Sequence, residues 1–163
     1  MWFLKKNGIP LEGGQVRQRN KNNVMKRVTG IGGIFFKCED PNSLKEWYQK
    51  HLGIKSDQYG GAFRWRKYDD PEHKASTAWS PFPEKTDHFE PSKKEFMINY
   101  RVENLKALLP VLKEEGVQIV GAIQSFEYGH FAHILDEEGN KIELWEPIDS
   151  GFDAYYKDQD VNF

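Results

Sequence analysis

The chain repeats itself, and a repeat of this length admits few architectures. Residues 60–81 (GGAFRWRKYDDPEHKASTAWSP) and residues 129–147 (GHFAHILDEEGNKIELWEP) follow one pattern. With small gaps, Gly61, Phe63, Trp65, Trp79 and Pro81 fall on Gly129, Phe131, His133, Trp145 and Pro147. Upstream, LKEWYQKHLGI (44–54) corresponds to LLPVLKEEGVQI (108–119), and a glycine closes each amphipathic run. Earlier still, IGGIFFKCEDPNSL (31–44) corresponds to EFMINYRVENL (95–105). A unit of roughly 65 residues is longer than the usual solenoid period. It predicts two copies of one supersecondary module that complete a single structure. A pocket between such halves would take its chemistry from matched positions.

Hydrophobic period assigns the elements of each copy. Val28 to Lys37 is β-branched and aromatic, with glycines at 30, 32 and 33, and reads as a strand open to close backbone approach. Asp40–Pro41 supplies an N-cap and a first-turn proline. Leu44, Trp47, Tyr48 and Leu52 then share one helical face, and Gly53 ends it. Strands are expected at Ile54–Tyr59, Ala62–Tyr68 and Ala75–Trp79. The second copy offers a strand at Phe96–Val102 and a helix from Asn104 with Leu105, Leu108, Leu109 and Leu112 on one face. Pro110 inside that helix should remove one hydrogen bond or kink it. Strands at Gln118–Ser125, His130–Leu135 and Lys141–Trp145 follow, the last two joined by a turn over 137–140. Each copy is thus β-α-β-β-β, over residues 25–84 and 95–148. A linker over 85–94 lies in the proline- and charge-rich stretch 81–94, and an acidic, aromatic tail covers 149–163.

Residues 1–24 have no sustained apolar period and no signal-peptide core, and read as a flexible extension of artificial or upstream origin, or as a native arm. Met25 would be an alternative start. Residues 1–27 carry seven Lys/Arg against one acidic residue, so the net charge of −2 leaves the remaining chain near −8. An acidic body argues against nucleic acid as a partner. No apolar run approaches the ~18 residues of a membrane helix. A single cysteine, Cys38, excludes an internal disulfide and fits a cytoplasmic setting.

The helix signature DPNSLKEWYQKHLGI, the strand pair FAHILDEEGNKIELWEP and the tandem βαβββ pattern resemble the glyoxalase / bleomycin-resistance / extradiol dioxygenase superfamily, the vicinal oxygen chelate proteins. The resemblance covers about residues 28–148. It implies an α+β fold in which two tandem modules with curved mixed sheets form a cup around a small-molecule pocket, usually in a homodimer. Many members hold a divalent metal that chelates adjacent substrate oxygens; others bind no metal and sequester a drug.

The metal ligands of such relatives come from the first and last strands of each module. Carried onto this chain, those positions fall on Gly33, Met97, Thr77 and Glu143. Only Glu143 is a good ligand, and stable sites need three or more. The resemblance therefore implies an incomplete family metal site, with a divalent metal at Glu143 as an open alternative. Hairpin register can set His133 beside Glu143. A desolvated carboxylate suits proton abstraction next to a carbonyl, with His133 as partner. Trp65, Trp79, Phe131 and Trp145 are candidates for stacking on a flat ligand, and Arg64 and Arg101 for pinning an anion. Three functions follow: a glyoxalase-like lyase or isomerase acting on a small oxygenated metabolite, a metal-independent small-molecule or drug-binding protein of the resistance type, or a structural or regulatory dimer with a vestigial pocket.

Overall fold

The computed structural model describes residues 26–155. The expectations for the 1–24 extension and the Met25 start lie outside them. Among the described residues the elements run β1 (Val28–Cys38), α1 (Pro41–Leu52), β2 (Gly61–Arg66), β3 (Lys74–Pro83), β4 (Phe96–Val102), α2 (Leu105–Glu114), β5 (Gln118–Phe126), β6 (Gly129–Leu135), β7 (Lys141–Pro147) and α3 (Asp149–Tyr155). The strands form one sheet in the order β2-β3-β1-β4-β7-β6-β5, curved and unclosed. The two copies meet at its centre, where β1 and β4 pair antiparallel. On either side the first strand of each copy runs parallel to the last, β1 with β3 and β4 with β7. The mixed α+β architecture with a curved sheet, expected from the family resemblance, is the one observed.

One expected strand is missing. Residues 54–59 form a loop, so the first copy is β-α-β-β and β2 is the sheet edge. The Asp57 carboxylate accepts from the Tyr59 and Gly60 amides at 2.7 and 3.0 Å. Lys45, buried on α1, donates to the carbonyls of Asp57 and Gln58 at 2.8 and 3.1 Å. These bonds occupy backbone groups that a ladder would need.

Helix ends follow the sequence closely. Asp40 accepts from the amides of Asn42 and Ser43, and Gly53 closes α1 in the left-handed region at φ 69°. At α2, Asn104 accepts from Ala107 N at 2.9 Å, while Glu146 of β7 accepts from Leu105 N at 2.7 Å. Two of the four free amides at that end are thereby satisfied. Asn104→Ala should cost about 1 kcal/mol, measured as a fall in denaturant midpoint with unchanged slope. Pro110 leaves one helical bond unmade. The helix nonetheless runs through it, because Leu105, Leu108 and Leu112 pack into a cluster with Val102, Ala132, Ile134 and Leu144.

Strand alternation sorts the two faces. Ala132, Ile134 and Leu144 lie under α2, and Trp79 lies under α1 against Tyr48, with ring centroids 4.8 Å apart. Their sequence neighbours Phe131, Glu143, Trp145 and Ala78 line a cavity on the other face. No helix among the described residues is long and apolar enough to cross a membrane.

Candidate active site

The cavity measures about 610 Å³ and its walls are mainly apolar and rich in aromatic rings. Phe131 and Trp145, paired across β6 and β7, stack with centroids 5.8 Å apart and planes 7° from parallel. Phe126 and Tyr128 stack beside them at 5.4 Å and 3°. Phe35 and Phe82 of the first copy also line it, and such rings suit a flat ligand.

Glu143 sits on this wall, 6% exposed. The β6–β7 register places His133 directly opposite it, and His133 Nε2 lies 2.8 Å from Glu143 Oε2. The parallel ladder with β4 sets Asn99 on its other side, where Asn99 Nδ2 donates to Glu143 Oε1 at 2.7 Å. Both carboxylate oxygens are thus oriented before any ligand arrives. Asn99 can lean over β1 because Gly32 leaves the space: a Cβ there would stand 2.1 Å from Asn99 Oδ1.

His88 completes the cluster, although by sequence it reads as a loop histidine without a role. It belongs to the stretch expected to be a linker, yet that stretch is fastened to the sheet. Phe89 is fully buried with Phe35 and Met97. Lys141 Nζ donates to the His88 carbonyl at 2.5 Å, and Ser92 Oγ donates to the Gly139 carbonyl at 2.6 Å. The His88 ring then stacks on Phe82 at 4.9 Å and meets His133 edge-on at 6.1 Å. Burial pushes the His88 imidazole below its ordinary pKa, opposed by the nearby Glu143 charge. A neutral ring is the form that ligates a metal or accepts a proton.

Donor atoms of His88, His133 and Glu143 lie within 4.8 Å of one another. Ligands sharing one ion at 2.0–2.2 Å stand about 3–3.5 Å apart, so closure asks for roughly 1 Å of side-chain movement. Two imidazoles and a carboxylate are a donor set that zinc, iron or manganese accepts. The residues therefore fit a divalent cation, though through a different set of positions from those read in the sequence. The ladders put Asn99, not Met97, beside Glu143, and Ala78, not Thr77, opposite Gly33. Met97 is fully buried among phenylalanines, and Thr77 donates to the Ile31 carbonyl and accepts from Trp65 Nε1. The WSP-to-WEP match is one residue out of step with this register at Ala78, and the helix-distance match is two residues out at Asn99.

The remaining candidates divide. Phe131 and Trp145 form cavity wall, while Trp79 lies under α1 and Trp65 stands 5.7 Å from the Arg101 guanidinium. Arg101 is 1% exposed and bonds to Asp149 of α3 at 2.6 Å; Arg64 lies 3.7 Å from Asp153 of the same helix. Of the tail, residues 149–155 are described, and they form a helix packed on the cavity face.

The family profile described as Glyoxalase/Bleomycin resistance protein/Dioxygenase superfamily matches residues 30–144. No curated protein sequence matches the chain. Among solved structures, a methylmalonyl-CoA epimerase from Mycobacterium tuberculosis is similar at 24% identity and TM-score 0.50, over 74% of this chain and 89% of that one. A Streptomyces coelicolor methylmalonyl-CoA epimerase variant in complex with 2-nitronate-propionyl-CoA gives TM-score 0.55 at 14% identity, over 74% and 99%. A methylmalonyl-CoA epimerase in complex with methylmalonyl-CoA and ammonium gives 0.56 at 14%, over 74% and 96%. At these identities the likeness is one of fold.

Proposed function

The chain belongs to the Glyoxalase/Bleomycin resistance protein/Dioxygenase superfamily, and from that premise we propose that it is a small-molecule enzyme of the isomerase type. It moves a proton on a carbon beside a carbonyl, with Glu143 and His133 as the acid–base pair. One observation carries this reading: Glu143 and His133 are bonded at 2.8 Å, with His88 close by, at the wall of an aromatic cavity. The fold neighbours named as epimerases support the reaction class, and the chemistry of the pair supports the roles.

Phe131 and Trp145 hold a flat substrate and exclude water, which strengthens every charge interaction inside. Glu143 takes the proton from the substrate carbon, leaving the electron pair in an enolate. His133 at Oε2 shares that proton and can return it at another face or atom. Asn99 keeps the carboxylate aimed through Oε1. With a divalent cation held by His88, His133 and Glu143, His133 would serve as a ligand and not as the proton carrier, and the ion would supply polarisation of the carbonyl oxygen. A homodimer and a cytoplasmic setting belong to the same reading.

The test combines metal-dependent melting with proton exchange. Zinc, manganese, nickel or ferrous ion at saturating concentration should raise the parent's melting temperature by about 5–10 °C, and His88→Ala should remove that rise. Incubation in D2O with a panel of 2-oxo acids, 2-hydroxy acids and acyl thioesters should show deuterium uptake at one α-carbon by proton NMR. Absence of exchange across the panel would reject the isomerase reading. The second reading, a binding protein without catalysis, draws on the fact that both Glu143 oxygens are already paired within the protein. It predicts melting shifts with planar or cationic ligands and none with metals.

A further inference from the structure

We propose that Arg101, Arg64 and Ser76 form a carboxylate subsite next to the reacting cavity, and that the chain's own helix α3 fills it. The proposal deepens the function above by naming the substrate class, a small molecule bearing a carboxylate. It rests on that reading only for calling the bound anion a substrate.

The subsite arises from the glycines of β1. Gly30 and Gly32 put no side chain over the central strand, and the Cγ of Arg101 lies 3.0 Å from where a Cβ on Gly32 would stand. Arg101, rooted on β4, can therefore cross β1 and donate Nη1 to the Ser76 carbonyl on β3 at 3.2 Å. Arg64 faces Ser76 across the β2–β3 ladder. Two guanidiniums and a hydroxyl thus converge on one side of the sheet, beside Asn99 and Trp145 of the cavity.

Their partners are incomplete. Arg101 Nε, Arg64 Nε and Ser76 Oγ are buried without a hydrogen-bond partner among the described residues. Buried polar atoms in native proteins are rarely left so, and three together mark a place where another group belongs. What covers them is α3, which presents Asp149, Phe152 and Asp153 to the sheet. Asp149 divides its carboxylate, Oδ1 to Arg101 at 2.6 Å and Oδ2 to His73 at 2.9 Å. Asp153 approaches Arg64 only to 3.7 Å. Both arginines therefore meet a carboxylate, and neither receives the two-pronged contact that a guanidinium makes with a free one.

Phe152 joins this cover to the cavity. It packs on Trp145 with centroids 5.5 Å apart and against Ala62, and it forms part of the cavity wall. Withdrawal of α3 would extend the cavity to Arg101 without moving Glu143. A ligand carboxylate could then span Nε and an Nη of Arg101 and accept from Ser76 Oγ, while its reacting carbon lies towards Glu143. The Arg101 guanidinium is held 4.8 Å from the Trp145 ring, a stacked setting that suits a flat carboxylate fork.

Succinate binding, followed by calorimetric titration of the full-length chain, decides the matter. The double variant Asp149→Asn/Asp153→Asn keeps the shape of α3 and removes its competing charges. It should bind succinate about tenfold or more tightly than the parent, and adding Arg101→Lys should abolish the gain. Unchanged succinate affinity in a cooperatively melting double variant would overturn the proposal. So would an equal gain for inorganic phosphate, which would indicate a diffuse positive field. Should the double variant not melt cooperatively, Asp153→Asn alone, which leaves the Arg101 bond intact, must tighten succinate about threefold; no gain overturns the idea as well. The readout is independent of metal and turnover. Loss of the succinate effect with deuterium exchange intact rejects the subsite alone, and the reverse result rejects the chemistry alone.

Discussion

Glu143→Gln is expected to slow deuterium exchange by about 10²–10⁴-fold while leaving the melting temperature within a few degrees of the parent's. The substitution keeps the shape of the side chain. Its amide oxygen can still accept from Asn99 Nδ2, now 2.7 Å from Oε1, and its amide nitrogen can donate to the neutral tautomer of His133. A buried negative charge is removed at the same time, which spares the folded state a desolvation cost. Stability and activity should therefore separate. Metal response should also vanish, because an amide is a far poorer ligand for zinc or iron than a carboxylate. An equal loss of exchange and of cooperative melting would instead mean that Glu143 is a packing residue.

The sequence made the framework legible because the repeat carries its own register. The caps at Asp40 and Asn104, the glycine after α1 and the leucine face of α2 are local signals, and they held in three dimensions. The pairing of His133 with Glu143 was also readable, since the 137–140 turn fixes which residues of β6 and β7 oppose each other. The site's third member was not. His88 enters through a loop whose course depends on Phe89 being buried under Phe35 and on Lys141 gripping a carbonyl. Those contacts are long-range, and proline with charge reads as linker in any window. The Ile54–Tyr59 segment failed for a similar reason, because Lys45 on α1 draws its carbonyls away from the sheet edge.

Parity explains the other departures. The match of WSP to WEP is out of phase with the ladders by one residue. Positions matched by WSP and WEP then point to opposite faces: Thr77 makes bonds to β1 and Trp65, while Ala78 lines the cavity. Trp79 shares a face with Thr77 and is covered by α1. A one-residue slip in the match moves every matched residue to the other face, so Phe131 and Trp145 line the cavity while Trp79 lies under α1.

Arg101→Ala should destabilise the fold by about 3–5 kcal/mol, lowering the melting temperature by about 10 °C or more. Arg101 is the largest of the fully buried side chains among the described residues, and its guanidinium packs on Trp145 while it holds Asp149 and the Ser76 carbonyl. Truncation leaves a void beneath α3 and deprives Asp149 of its shorter ionic bond. Arg101→Met should lose less, since it refills much of the volume beside the aromatic rings and Asp149 retains water access at 23% side-chain exposure. The two variants thus separate packing from charge. A cycle with Asp149→Asn isolates the pair: if the bond matters as drawn, Arg101→Ala in the Asp149→Asn background costs less than in the parent by about 1–3 kcal/mol. Additive losses would show that α3 is held by Phe152 on Trp145 instead. In that case Asp149 would be a weak occupant of the arginine, and the carboxylate position beside it would be the easier to take.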